Sequence, residues 1–95
     1  MILKKLIEKY DSAVDEEFIG FTPECTPDVL YVLDIRNQIR DILDGGTAAE
    51  IDLEQINEID SRLKKIARET ITSDFHIPEG VKSEDWWTQL DKQTD

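Results

Sequence analysis

The chain has one cysteine and one histidine in 95 residues. Cys25 has no second cysteine to pair with, which excludes an internal disulfide scaffold and fits a reducing compartment. With His76 it makes up the whole stock of soft metal ligands, and no further cysteine or histidine completes a zinc set. No apolar run approaches the ~20 residues of a membrane span. The start, Met1-Ile-Leu-Lys-Lys-Leu-Ile-Glu-Lys-Tyr10, places charges in every turn, unlike the uninterrupted apolar stretch of a secretory signal. The expected location is therefore the cytoplasm.

Positive charge is also scarce. Eleven lysines and arginines stand against 22 aspartates and glutamates, net −11. This disfavours docking on nucleic-acid phosphates or anionic lipid, both of which need clustered lysine and arginine. It favours solubility and steering toward a basic partner. Glycine (4) and proline (3) are few and sit where the apolar patterning breaks. No glycine-rich phosphate loop is present: Gly45-Gly46-Thr47 follows no strand and has no lysine nearby.

What is there reads as helix. Leu3, Leu6, Ile7, Tyr10, Val14 and Phe18 recur at spacings of three and four, one face of a helix over residues 2–18, which Gly20 ends. Phe21-Thr-Pro-Glu-Cys-Thr-Pro27 is a connection. Thr26 is the expected N-cap of a second helix, residues 27–44, with Pro27 at its first position and Asp28 favoured by the helix dipole. Its stripe is Val32, Ile35, Ile39 and Ile42, and Gly45-Gly46 offers a left-handed stop. Asp52, with Gln55 three residues on, is the expected cap of a third helix, residues 52–70, whose stripe is Ile56, Ile59, Leu63 and Ile66.

The short glycine loop predicts that the second and third helices form an antiparallel hairpin with facing isoleucine stripes. Burial of such side chains contributes about 1.5–3 kcal/mol each before entropy is counted. The expected fold is thus an all-α, small three-helix domain on residues 1–72. A C-terminal segment, 73–95, follows the break at Pro78 and Gly80 and carries a short helix over 83–92.

No constellation here predicts catalysis. The acids around Gly45 miss three of the four side-chain ligand positions of an EF-hand when that glycine is set in register. Asp15, Glu16 and Glu17 are adjacent and point in different directions on a helix. Arg62, Lys64, Lys65 and Arg68 form a basic cluster, but Glu58–Arg62, Asp60–Lys64 and Lys65–Glu69 are ordinary i,i+4 pairs of an exposed helix face. No catalytic residue, cofactor or metal is expected.

The most suggestive feature is Asp85-Trp86-Trp87-Thr-Gln-Leu90. Tryptophan concentrates where binding energy does, so Trp86, Trp87 and Leu90 are the candidate partner-binding residues. The competing reading folds Trp86 and Leu90 back onto the hairpin's thin core. The expected function is a non-catalytic protein–protein interaction module, a small regulator or adaptor. A second copy of the chain is an alternative occupant of its apolar faces. The alternative functions are an acidic neutraliser of a basic protein and, with less support, a carboxylate-based metal protein or enzyme.

Overall fold

The structure is a computed structural model and describes residues 2–14, 20–46 and 49–92. It is all-α, with no strand among the described residues. Helix α1 spans Ile2–Ala13, α2 Thr26–Gly45 and α3 Glu50–Thr70. A 3-10 turn, Pro23–Cys25, precedes α2, and a 3-10 segment, Trp86–Lys92, closes the described chain.

Helix α1 is shorter than the sequence predicts. Val14, just past Ala13, is the last described side chain of the stripe and is buried, and its N–H still reaches Tyr10 O at 3.0 Å. Phe18 and the Asp15–Glu17 run lie outside the described residues.

The other two main helices appear where expected, but their ends differ. The turn at Pro23–Cys25 delivers the backbone to Thr26 already helical, so Cys25 takes the N-cap position and Thr26 opens α2; its hydroxyl donates to Pro23 O at 2.8 Å. Pro27 falls in the first turn, at the second helical position rather than the expected first. Gly45 is the last helical residue, and Gly46 is extended (φ −160, ψ −165) rather than left-handed. Helix α3 starts two residues before Asp52. Ala49 is the N-cap residue, its carbonyl accepts from the Asp52 and Leu53 N–H groups, and Asp52 contributes its charge to the first turn instead of a cap.

Chain directions follow from the contacts. Phe21, just before α2, meets Thr70 and Thr72, whereas Arg36 within α2 meets Asp60. Partner numbers fall as α2 advances, so α2 and α3 are antiparallel. Tyr10 meets Asp60 and Asp11 meets Arg62, so α1 runs parallel to α3. The backbones of α2 and α3 approach α1 more closely than they approach each other. The isoleucine stripes therefore converge on α1 as a shared third wall. Val32, Ile35, Ile39, Ile56, Ile59 and Leu63 are buried there, with Ile42 and Ile66 partly so.

The segment after residue 72 shares this core. Phe75, Ile77, Trp87 and Leu90 belong to the same buried cluster, and Phe75 packs edge-to-face on Phe21 at 5.6 Å. The expected helix over 83–92 is a 3-10 segment broken at Gln89 (φ −121, ψ 20). The Thr88 hydroxyl lies against the Ser83 and Asp85 carbonyls, and this local bonding competes with an α-helical start.

Candidate functional site

Three polar residues sit inside the apolar walls, one from each helix. On α3, Asp60 falls between Ile59 and Leu63, on the buried face. On α2, Arg36 falls between Ile35 and Ile39, likewise buried. Tyr10 of α1 is fully buried. Asp60 joins them: its Oδ1 accepts from the Tyr10 hydroxyl and from Arg36 Nε at 3.0 Å, and its Oδ2 from Arg36 Nη2 at 3.2 Å. This is a two-pronged guanidinium–carboxylate pair, the strongest geometry such a pair adopts. Arg36 Nη1 is buried without a hydrogen-bond partner among the described residues.

Burial, followed by the adjacent Asp60 carboxylate, pushes the Tyr10 phenol far above its ordinary range. It therefore stays protonated and serves as a donor. Both Asp60 oxygens are taken up by this network.

The tail is seated over the pair. Trp87 lies on the Arg36 guanidinium at 4.2 Å from the ring centroid, and its indole N–H donates to Asn37 Oδ1 at 2.7 Å. Arg40, one turn along α2, binds Asp85. The tail thus runs antiparallel to α2, held by a cation–π contact, a neutral hydrogen bond and an ion pair. Trp86 stands edge-on to Trp87 at 5.5 Å and carries Lys64 over its face at 4.5 Å.

A second clasp closes this loop on itself. Asp91 accepts from Lys82 Nζ at 2.8 Å and from the Ile77 N–H at 3.0 Å. Burial alone would raise the Asp91 pKa, but Lys82 and the Ile77 N–H together outweigh it and hold it below the ordinary carboxylate value.

Of the three residues expected to face a partner, Trp87 (4% exposed) and Leu90 (1%) are in the core, and Trp86 is half-buried at its edge. The basic cluster of α3 does not pair within its own helix as predicted. Asp60 turns inward to Arg36 and leaves Lys64 to Trp86, while Arg62 reaches across to Asp11 and to Val14 O at 3.3 Å. For Asp60, the neighbouring helix offers in Arg36 a far more buried partner than the exposed Lys64 four residues on. The apolar spacing marks Tyr10 only as a member of one helix face and does not single out Arg36. The available signal was an acid and a base, each adjacent to an isoleucine and in phase with its stripe.

Cys25 is buried and His76 exposed. No group of three or more histidine, cysteine or acidic side chains is placed to hold a metal among the described residues. No described helix is long and apolar enough to cross a membrane. The chain matches no protein-family model, no curated protein and no solved structure.

Proposed function

We propose that the chain is a non-catalytic protein–protein interaction module of the cytoplasm, acting through its helix faces and its tryptophan-bearing tail. The observation that carries this is the placement of Trp86. Trp87 and Leu90 anchor the tail in the core, and Trp86 is held at the rim between Lys64 and the Trp87 edge. A half-exposed tryptophan on a fixed support loses little conformational freedom when a partner covers it, which is the usual character of a binding hot spot.

The test is affinity capture from native extract with the full chain and with Trp86→Ala, both first shown to melt cooperatively. A partner retained by the full chain and lost by the variant supports the role of the tail. Equal capture by both removes it.

A second reading, an acidic neutraliser of a basic protein, is favoured by one stretch of the chain. Between Arg40 and Arg62 there is no basic residue, while acids recur throughout. A strongly basic protein released from the chain by moderate salt supports this reading, and salt-insensitive capture opposes it.

A further inference from the structure

The tail is tied to itself more fully than to the helices. Asp91 accepts from the Ile77 N–H at 3.0 Å and from Lys82 Nζ at 2.8 Å, which joins residues 14 apart in sequence. The Ser83 N–H donates to Thr88 Oγ1 at 3.0 Å, and the Val81 and Lys82 N–H groups turn back to Pro78 O and Glu79 O. Residues 77–91 are thus a loop closed by its own side chains, the character of a compact Ω-loop.

Its ties to the helices are of another kind. Among the described residues, the last backbone hydrogen bond between tail and body runs from the Thr72 N–H to Phe21 O at 3.2 Å. Phe75, packed on Phe21, stays with the body at this tie. Beyond it the polar ties are side-chain contacts: Trp87 to Arg36 and Asn37, Asp85 to Arg40, and Trp86 to Lys64. Ile77, Trp87 and Leu90 add apolar burial. The Tyr10–Asp60–Arg36 network joins α1, α2 and α3 without any tail residue. Lifting the loop therefore leaves the body's own cross-link whole. Segments tied in this way open as contiguous units before the whole chain does.

The surface beneath the loop has a definite chemistry. Arg36 and Arg40 are the two cations of α2, one turn apart, with Asn37 beside Arg36. The tail sets a carboxylate on Arg40 and, two residues on, an indole on Arg36, with the indole N–H on Asn37. Two guanidinium groups take a carboxylate and a π-face, in a chain that is otherwise strongly acidic.

We infer that residues 77–92 are a displaceable strap, and that α2 beneath them is a receptor for a partner segment carrying an acidic residue and, two positions later, a tryptophan. The strap is that receptor's built-in competitor. This goes beyond the reading of Trp86 as a rim contact, which needs the tail closed. The open form is a minor population, and the partner's intrinsic affinity is reduced by that fraction. A second copy's tail makes only the contacts that the chain's own tail already makes, at a lower effective concentration, so exchange of tails between copies gains nothing.

The test uses the full chain, isotope-labelled. Hydrogen exchange in urea well below the unfolding transition compares the Trp87 indole N–H and the Ile77 and Thr88 amides with the Ile39 and Leu63 amides. After correction for intrinsic rates, the tail protons are expected to exchange together and about tenfold or more faster than the helix protons, as opening of one unit requires. A synthetic peptide of residues 77–92 probes the receptor and is expected to shift the Arg36, Asn37 and Arg40 signals. Asp85→Asn and Trp87→Phe weaken the strap and leave the α2 residues untouched. They are expected to speed tail exchange by about threefold and about tenfold, and to raise peptide affinity by the same factors. Equal protection of tail and helix protons would overturn the inference, because the loop would then open only with the whole chain. So would faster exchange without tighter peptide binding, absence of peptide binding to the Trp87→Phe chain, or a concentration-dependent dimer of the chain alone. None of these outcomes bears on capture of a partner through Trp86, so the two readings fail separately.

Discussion

Replacing Asp60 by alanine should be the most damaging single polar substitution in this chain. The carboxylate accepts from Tyr10 and twice from Arg36. Its loss leaves a buried guanidinium beneath Trp87 with no counter-charge among the described residues, where its Nη1 already has no hydrogen-bond partner. Hydrogen bonds to charged groups contribute about 1.5–3 kcal/mol each, and an orphaned hydroxyl costs about 1–3 kcal/mol. Partial movement of Arg36 toward water offsets some of that sum. The expected loss is therefore about 3–5 kcal/mol, the range for a buried pair deprived of one partner. Against a typical domain stability of about 5–15 kcal/mol, this is a large fraction. Urea unfolding at neutral pH, followed by tryptophan emission and far-ultraviolet circular dichroism, measures it. At a slope of about 1–3 kcal/mol per molar urea, the midpoint should fall by one to a few molar, with coincident transitions by both probes. A loss below about 1 kcal/mol would refute the reasoning, because it would mean that water or a surface partner replaces Asp60 at no cost.

Three further outcomes follow from the geometry. The Tyr10 phenol has a raised pKa in the folded chain, so its stabilising effect is whole below the ordinary value of 10.0 and is lost as pH rises above it; in a Tyr31→Phe background, tyrosinate absorbance should appear together with loss of helix, and a phenolate signal from a still-folded chain would contradict this. Asp91 has a lowered pKa, so the clasp is whole above the ordinary value of 3.8 and weakens as pH falls below it. Asp91→Asn should cost about 1–3 kcal/mol at neutral pH and flatten this acid dependence; an unaltered urea midpoint would show that the clasp contributes nothing. Gly20→Ala should cost about 2–4 kcal/mol, because Gly20 has φ +135 and an added Cβ collides with the Thr70 side chain; Thr70→Ala in the same chain should recover only part of the loss, and full recovery would mean that the backbone angle carries no penalty.

The helices were legible because apolar spacing is a local property. Ile35, Ile39, Ile56, Ile59 and Leu63 read as two stripes in the sequence and are buried in the structure. Helix ends were less legible because they depend on neighbours. Thr26 is a good cap in isolation, yet the 3-10 turn before it makes it helical; Asp52 is a good cap, yet Ala49 and Glu50 extend the helix past it. The tail was harder still. Both of its readings rest on the same tryptophans, and only the position of α2 decides that Trp87 enters the core while Trp86 stays at the rim. The Tyr10–Arg36–Asp60 network was invisible to local rules because they offer Asp60 a partner four residues away at Lys64. The structure instead gives it Arg36 from another helix.

That network explains how nearly interchangeable stripes select one arrangement. Isoleucine, leucine and valine at three–four spacing pack about as well after a helix slides by one turn. Such a slide moves Asp60 about 5.4 Å from Arg36 and leaves two buried charges unpaired. The pair therefore acts as a register pin, and because Trp87 rests on Arg36, the pin also sets where the tail runs and where Trp86 emerges. Replacing all three members by apolar residues, Tyr10→Phe with Arg36→Met and Asp60→Leu, separates pinning from stability. The triple variant should unfold within about 2 kcal/mol of the parent or above it, since well-packed apolar residues often match a buried ion pair. It should also lose uniqueness, with broadened amide resonances, weaker near-ultraviolet dichroism and dye binding while far-ultraviolet helix signal persists. A triple variant as stable as the parent, with sharp resonances and an unchanged Trp87 environment, would show that the apolar stripes alone fix the register. The buried pair would then need another reason to be there.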